Sequence, residues 1–146
     1  MSTLQATKHF SIEEMIGSTT ADRNHIDNTP TDAYVIDNIE WTAQQLEIIR
    51  KAYDKPIVIT SWYRSPELNA ILPGSAKESY HQYGLAVDIR WDNELFQFLQ
   101  HKSPVAFQKL IVERSRNAQW MHLQFSRSMA DNNRRVIYKK LDLNVA

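Results

Sequence analysis

The stretch SYHQYGLAVDIRW, residues 79–91, alternates apolar residues with small or polar ones in its second half. The apolar positions are Leu85, Val87 and Ile89. Side chains of a strand point alternately to its two faces, so this spacing predicts a β-strand with these residues on the core face. Gly84, Ala86 and Asp88 share the opposite face, where the two small residues leave space for another group to approach. Asp88 is therefore either a solvated acid on a half-exposed strand or an acid at the edge of a cavity.

Two histidines accompany this aspartate. His81 lies seven residues before Asp88, and His122 lies in QWMHLQF, residues 119–125, out of phase with an apolar alternation. Two histidines and one carboxylate, with a fourth position for water, form the ligand set of a catalytic zinc site. A single histidine on a strand is more often a surface residue or a hydrogen-bonded buried one, and spacing alone does not show that the three meet. The other histidines, interpreted as surface or structural residues, are His9, His25 and His101.

Composition narrows the possible classes of protein. The 146 residues carry 17 basic and 17 acidic side chains, so there is no electrostatic reason to expect a nucleic-acid partner. Cysteine is absent, which excludes disulfide scaffolds, thiolate metal sites and cysteine nucleophiles. No stretch approaches the roughly 20 apolar residues of a membrane span, so membrane insertion is not expected. The opening residues lack an apolar signal segment, so synthesis in the cytoplasm is expected, and composition does not indicate the oligomeric state.

Helical signals dominate the first half of the chain. A capping box at Ser11 and Glu14 predicts a short helix, followed by a polar loop over residues 18–32. Residues 32–53 carry apolar side chains at helical spacing, which predicts a long helix with one buried stripe. A further short helix is expected to begin at Ser65, followed by a proline that suits the first helical position.

Strand signals dominate the second half. The predicted strands are residues 57–60, 85–91, 108–114 and 119–125. Asp92 is expected to cap a helix between the second and third of these strands, and residues 134–141 are either an edge strand or a tail. Helices that precede strands with few crossovers favour an α+β fold with a mostly antiparallel sheet flanked by helices. Residues 1–146 are expected to form one domain, with its core in 10–126 and a C-terminal tail in 127–146.

The motifs together resemble a known family. SYHQYGLAVD fits the pattern Ser-x-His-x-x-Gly-x-Ala-x-Asp, and WMH fits the Trp-x-His that follows it in the zinc D-alanyl-D-alanine carboxypeptidase family. HFSIEEM, PIVITSWYRSPELNAILPGSAKES and KLIVE are similar to the phage and prophage branch, and the similarity covers roughly residues 10–125. It implies the zinc peptidase fold shared with the hedgehog signalling domain, Zn²⁺ as cofactor and a peptidoglycan stem peptide as substrate.

The resemblance also implies roles for individual residues. The zinc ligands fall on His81, Asp88 and His122, and Arg64 falls on the arginine that contacts the substrate. The alternative for Arg64 is a salt bridge to a helix carboxylate. Ser79 is the motif serine, expected to fix the loop or the site by a hydrogen bond. Further candidates for the cleft wall, for which core packing is the more common use, are Trp62, Tyr63, Tyr83 and Trp120.

One position departs from the family pattern. Many members carry the catalytic acid three residues before the last histidine, where this chain has Gln119, which cannot act as a general base. The phage-like branch has a glutamate at the end of the preceding strand, which here is Glu113. We therefore expect Glu113 to be the base of a hydrolase. Gln119 leaves open a second hypothesis, a non-hydrolytic phage tail or virion component, or a cell-wall-binding module, that keeps the fold.

The implied activity is that of a D,D-carboxypeptidase or an endolysin-like endopeptidase, and the sequence does not indicate which bond is cut. The same ligands can also bind other divalent ions. Peptidoglycan lies outside the cytoplasmic membrane. A phage or prophage origin, with delivery through a holin pore or in the virion, would bring the protein to the cell wall.

Overall fold

Five strands form one sheet in the computed structural model, which describes residues 3–73, 75 and 78–140. The strands are β1 (Ile59–Ser61), β2 (Ala86–Arg90), β3 (Lys109–Arg114), β4 (Gln119–Gln124) and β5 (Arg135–Lys140). Their order across the sheet is β1-β2-β4-β3-β5. All neighbours are antiparallel except β3 and β5, which are parallel. The predicted α+β fold with a mostly antiparallel sheet is confirmed, and residues 135–140 form an edge strand.

Five helices accompany the sheet. They are α1 (Ile12–Ile16), α2 (Thr19–Arg23), α3 (Ala33–Tyr53), α4 (Pro66–Ile71) and α5 (Asn93–Lys102). The capping box of α1 and the caps of α4 and α5 at Ser65 and Asp92 are present as predicted. The prediction of a loop over residues 18–32 was wrong in part, because α2 forms there. The Ser18 side chain accepts a hydrogen bond from the N–H of Ala21, and this cap stabilises a helix too short to show a periodic pattern.

The apolar core lies between α3 and one face of the sheet. Helix α3 contributes a buried stripe of Ile39, Ala43, Leu46 and Ile49. Val87 and Ile89 of β2 belong to the same cluster, as the alternation predicted, whereas Leu85 precedes β2 and is buried outside this cluster. The described part of the chain has no helix that is long and apolar enough to cross a membrane.

Gly84 lets α3 approach the turn that precedes β2. This residue follows a short 3-10 helix, Tyr80–Tyr83, and its φ of 76° lies in the left-handed region that glycine adopts without strain. A Cβ at this position would lie 2.5 Å from Cγ1 of Ile39. The Gly84 carbonyl accepts hydrogen bonds from the Thr42 hydroxyl at 2.9 Å and from the Trp62 indole at 3.2 Å. The turn is therefore held against α3 by both packing and hydrogen bonds.

Glu47 of α3 holds the N-terminal segment. One carboxylate oxygen accepts hydrogen bonds from the Thr7 hydroxyl at 2.7 Å and from the His9 backbone N–H at 2.6 Å, and the other lies 2.6 Å from Nδ1 of His9. Burial alone would raise the pKa of Glu47. The hydrogen bonds from Thr7 and His9, with the charge of His9, outweigh burial and bring that pKa below its ordinary value of 4.5.

Replacing Glu47 by Gln is expected to lower the free energy of unfolding by about 1–2 kcal/mol at neutral pH, because the hydrogen bonds lose their charged acceptor. A lowered pKa stabilises the fold above the unfolded-state pKa, and this contribution disappears as the pH falls through the folded-state value. Urea unfolding at neutral pH and at an acidic pH below the ordinary value of 4.5 should therefore show a smaller difference between wild type and Glu47→Gln at the acidic pH.

Glu40→Gln is the matched control on the same helix, because Glu40 accepts only one hydrogen bond from this segment, from the Gln5 N–H at 2.9 Å. Its effect should be the smaller of the two. Equal destabilisation by Glu47→Gln at both pH values would contradict this account of the segment.

Candidate metal centre

The side chains of His81, Asp88 and His122 meet on the face of the sheet opposite the apolar core. Asp88 and His122 are register partners on β2 and β4, and His81 comes from the Tyr80–Tyr83 turn. Nε2 of His81 lies 3.2 Å and Nδ1 of His122 lies 3.3 Å from the same Asp88 oxygen, Oδ1. All three residues are buried, and their possible ligand atoms lie within 4.8 Å of one another. Asp88 is thus an acid at a cavity edge, and only 7% of its surface is exposed.

Hydrogen bonds on the outer sides of both imidazoles decide which nitrogens face inwards. Nδ1 of His81 lies 2.7 Å from the Trp62 carbonyl, and Nε2 of His122 lies 2.8 Å from Oε1 of Gln124. Both partners are acceptors and lie closer than Asp88 Oδ1 does to the inner nitrogens, which favours protons on the outer nitrogens and leaves the inner nitrogens of neutral imidazoles with lone pairs. Two lone pairs and a carboxylate oxygen that face one another are satisfied by a cation between them. This donor set fits a divalent zinc ion with two nitrogen ligands and one oxygen ligand.

Without a metal ion, the pKa shifts favour the metal-binding forms of Asp88 and His81 but the protonated form of His122. Burial alone would raise the pKa of Asp88, but the charge of His81 and the hydrogen bonds with both histidines hold that pKa well below its usual range. Burial lowers the pKa of His81 and so favours its neutral imidazole. Burial would also lower the pKa of His122, but the hydrogen bond with Asp88 and its charge raise it. Asp88 therefore stays ionised and His81 is a neutral donor, while a protonated His122 must release a proton before Nδ1 can bind a metal.

Arg64 contacts the group of candidate metal ligands through Asp88. Its Nη2 donates to Asp88 Oδ2 at 2.9 Å, and its Nε donates to the Ser61 hydroxyl at 3.3 Å. The carboxylate is thereby divided, with Oδ2 bound by Arg64 and Oδ1 facing the histidines. Arg64 does form a salt bridge, but its partner is this strand carboxylate and not a helix carboxylate. Ser79 holds the turn, since its hydroxyl accepts a hydrogen bond from the His81 N–H at 3.2 Å.

A cleft of about 300 Å³ opens over the three candidate ligands. Arg64, Ser79 and Glu113 also line it. Lining residues that the sequence patterns did not single out are Ser75, Glu78, Tyr80, Lys109, Ile111, Gln124 and Lys139. The cleft therefore combines the three candidate metal ligands with carboxylate, guanidinium and ammonium groups.

Glu113 and Gln119 lie at different places on the β3–β4 hairpin. Glu113 faces the cleft, where burial and the charge of Asp88 raise the pKa of its carboxyl above the ordinary value. Gln119 is the register partner of Arg114, and its Oε1 accepts hydrogen bonds from that guanidinium at 2.9 and 3.1 Å. It is not among the residues that line the cleft. Of the two hairpin positions, Glu113 therefore lines the cleft over the candidate ligands and Gln119 does not.

All four candidates for the cleft wall lie outside the lining of this cleft. Tyr63 is buried in the core cluster, as is Trp62, so core packing accounts for both. Tyr83 is 40% exposed and lines a separate groove with Tyr34 and Tyr80. Trp120 lies on the same face of β4 as His122 but nearer the start of the strand, as the register partner of Glu113. Ser79, which with Tyr63, Tyr83 and Trp120 was also a tentative substrate-binding candidate, does line the cleft.

Comparison with known proteins supports the geometry. The family model described as Peptidase M15 matches residues 8–124. A search of curated protein sequences gave no match. Peptidases of this family depend on zinc, and His81, Asp88 and His122 form a buried group that could hold that ion. The chain therefore belongs to the Peptidase M15 family of zinc peptidases.

Proposed function

We propose that this protein is a zinc-dependent hydrolase that cleaves peptidoglycan stem peptides, as a D,D-carboxypeptidase or an endolysin-like endopeptidase. The observation that carries the proposal is the shared cleft, which combines His81, Asp88 and His122 with Glu113 and Arg64. Family membership supports a peptidoglycan-type substrate. Because the donor set fits zinc, these three side chains are the proposed ligands.

Glu113 is the proposed general base. A zinc ion bound at His81, Asp88 and His122 would supply Lewis acidity that brings the pKa of a bound water to about 7. Glu113 would accept the proton of the attacking water and deliver it to the nitrogen of the leaving amine. A carboxyl pKa above its ordinary value suits this exchange, because the group must take up the proton and also release it.

Arg64 is proposed to act in two ways. Its Nη2 keeps Asp88 Oδ2 occupied, which orients Oδ1 towards the histidines. Its planar guanidinium also lines the cleft, where it can donate to a substrate carboxylate or to the oxygen that becomes negative during attack. The salt bridge and the contact with substrate are therefore compatible roles for one side chain.

The proposal places the activity at the cell wall. The similarity of residues 10–125 to the phage and prophage branch supports a phage or prophage origin, with delivery through a holin pore or in the virion. A non-hydrolytic virion or wall-binding module is the second hypothesis, and its basis is the missing acid at Gln119. The presence of Glu113 in the cleft, and of Gln119 outside it, favours the hydrolase.

Purified protein loaded with one equivalent of zinc is expected to release new amino groups from peptidoglycan. A chelator should abolish this release, and zinc added in excess of the chelator should restore it, because the ligands act only through the ion. The measurement is amino-group release, with mass spectrometry of the products to identify the bond that is cut. Zinc-loaded protein that binds peptidoglycan but releases no amino groups would favour the wall-binding module.

Glu113→Gln is expected to lower the turnover number on peptidoglycan fragments by about 10²- to 10⁴-fold, because the amide cannot accept the proton. Zinc content should stay at the wild-type level, since Glu113 is not among the proposed ligands. Gln119→Ala is the control in the same hairpin and should keep nearly full activity. A Glu113→Gln variant as active as wild type would remove Glu113 from the mechanism and leave the metal site intact.

A further inference from the structure

Two glutamine side chains stand behind His122, on the side away from Asp88. Oε1 of Gln124 lies 2.8 Å from Nε2 of His122, and Nε2 of Gln124 donates to Oε1 of Gln108 at 2.6 Å. Gln124 is buried. The Gln108–Gln124 pair therefore contacts His122 at the nitrogen that does not face Asp88.

The first hydrogen bond selects a tautomer. A neutral imidazole carries one N–H and one lone pair, so His122 can offer Nδ1 to a metal only when Nε2 carries the proton. A carbonyl oxygen accepts hydrogen bonds and cannot donate them. Asp88 Oδ1 competes for a proton on Nδ1 from 3.3 Å, and the shorter 2.8 Å contact with Oε1 of Gln124 favours the tautomer with the proton on Nε2.

The second hydrogen bond selects the orientation of the Gln124 amide. If this amide were rotated by half a turn, its NH₂ group would face the Nε2–H of His122, and two donors would oppose each other. Donation to Gln108 opposes that rotation. Gln108 is itself held by its backbone, since its N–H donates to the Gln124 carbonyl at 2.8 Å and its carbonyl accepts from the Arg135 N–H at 3.1 Å.

The two histidines differ in how their outer nitrogens are held. Nδ1 of His81 lies against a backbone carbonyl, that of Trp62, which no side-chain substitution removes. Nε2 of His122 depends on a side chain. A substitution of Gln124 can therefore change the protonation of Nδ1 of His122 without replacing any of the proposed metal ligands.

We propose that Gln124, oriented by Gln108, is a positioning residue that holds His122 in the Nε2–H tautomer and thereby raises the affinity of the site for zinc. The inference rests on the metal site of the proposed function, but not on which bond is hydrolysed. Partners of this kind behind a metal-binding histidine typically change metal affinity by about 10- to 100-fold.

Gln124→Met tests the proposal, because methionine has a similar length and volume but a poor acceptor. The zinc dissociation constant, measured by competition with a chelating dye, should rise about 10- to 100-fold. In metal-free protein, ¹⁵N NMR of the imidazoles, recorded above the pH at which His122 loses its proton, should show His122 changing from the Nε2–H form to a mixture of tautomers.

Three further variants make the test specific. Gln124→Glu keeps an acceptor, and Gln108 can rotate its amide to donate to it, so zinc affinity should equal or exceed that of wild type. Gln108→Met should also give mixed tautomers, with a smaller loss of affinity. Gln119→Met, on the same strand but outside the cleft, should change neither measurement.

The proposal fails if folded Gln124→Met binds zinc as tightly as wild type and keeps the Nε2–H tautomer. If that variant does not fold, Gln108→Met decides, and wild-type tautomer populations in it would overturn the proposed orientation of Gln124. Because the tautomer is read without metal, this result is independent of hydrolysis. A wild-type protein that binds zinc but cleaves no peptide would refute the proposed function and leave the positioning role standing.

Discussion

The Asp88 carboxylate carries a negative charge where little water reaches it, and such a charge is tolerated only when other groups compensate it. Arg64 binds one oxygen, and the other faces His81 and His122, where protons on the imidazoles or a bound cation complete the compensation. Arg64 follows β1, His81 lies in the turn before β2, and His122 lies on β4. Removal of any one partner would leave the charge under-compensated. The buried acid thus links segments distant in sequence and concentrates the polar chemistry at one point.

The two faces of the sheet differ in function, one stabilising the fold and the other carrying the candidate site. One face packs on α3 and supplies the apolar burial that stabilises the domain, while the other carries the metal cluster and the cleft. Gly84 couples the two, because only a residue without a Cβ lets α3 approach the turn that carries His81. The core thereby limits the freedom of a ligand on the opposite side, and a binding site whose geometry is set in advance loses less conformational entropy when it is occupied.

The alternation of apolar and polar residues predicts which face of a strand each site residue occupies, but not which strands pair. The period of two puts Asp88 and His122 on the polar faces of their strands. Whether they meet depends on the β2–β4 register, which no local pattern predicts, and only the family resemblance implied that they do. The same alternation contains Gln124, which it did not single out because glutamine is common on polar strand faces. Lys139 reaches the cleft through parallel pairing of β5 with β3, a long-range contact without a local signal. Tyr63 was a candidate for the cleft wall, but it lies beyond the end of β1 and is buried in the core cluster.

Zinc-edge X-ray absorption on stoichiometrically loaded protein tests the central claim most directly. The account predicts one tightly held zinc per chain, with two imidazole nitrogens and light oxygen ligands, at zinc–nitrogen distances of about 2.0–2.1 Å. Asp88→Asn should bind the ion much more weakly, because the site loses its only anionic ligand. A wild-type spectrum with fewer than two imidazoles, or an Asp88→Asn variant that binds zinc as tightly as wild type, would contradict the assignment of His81, Asp88 and His122 as the metal centre.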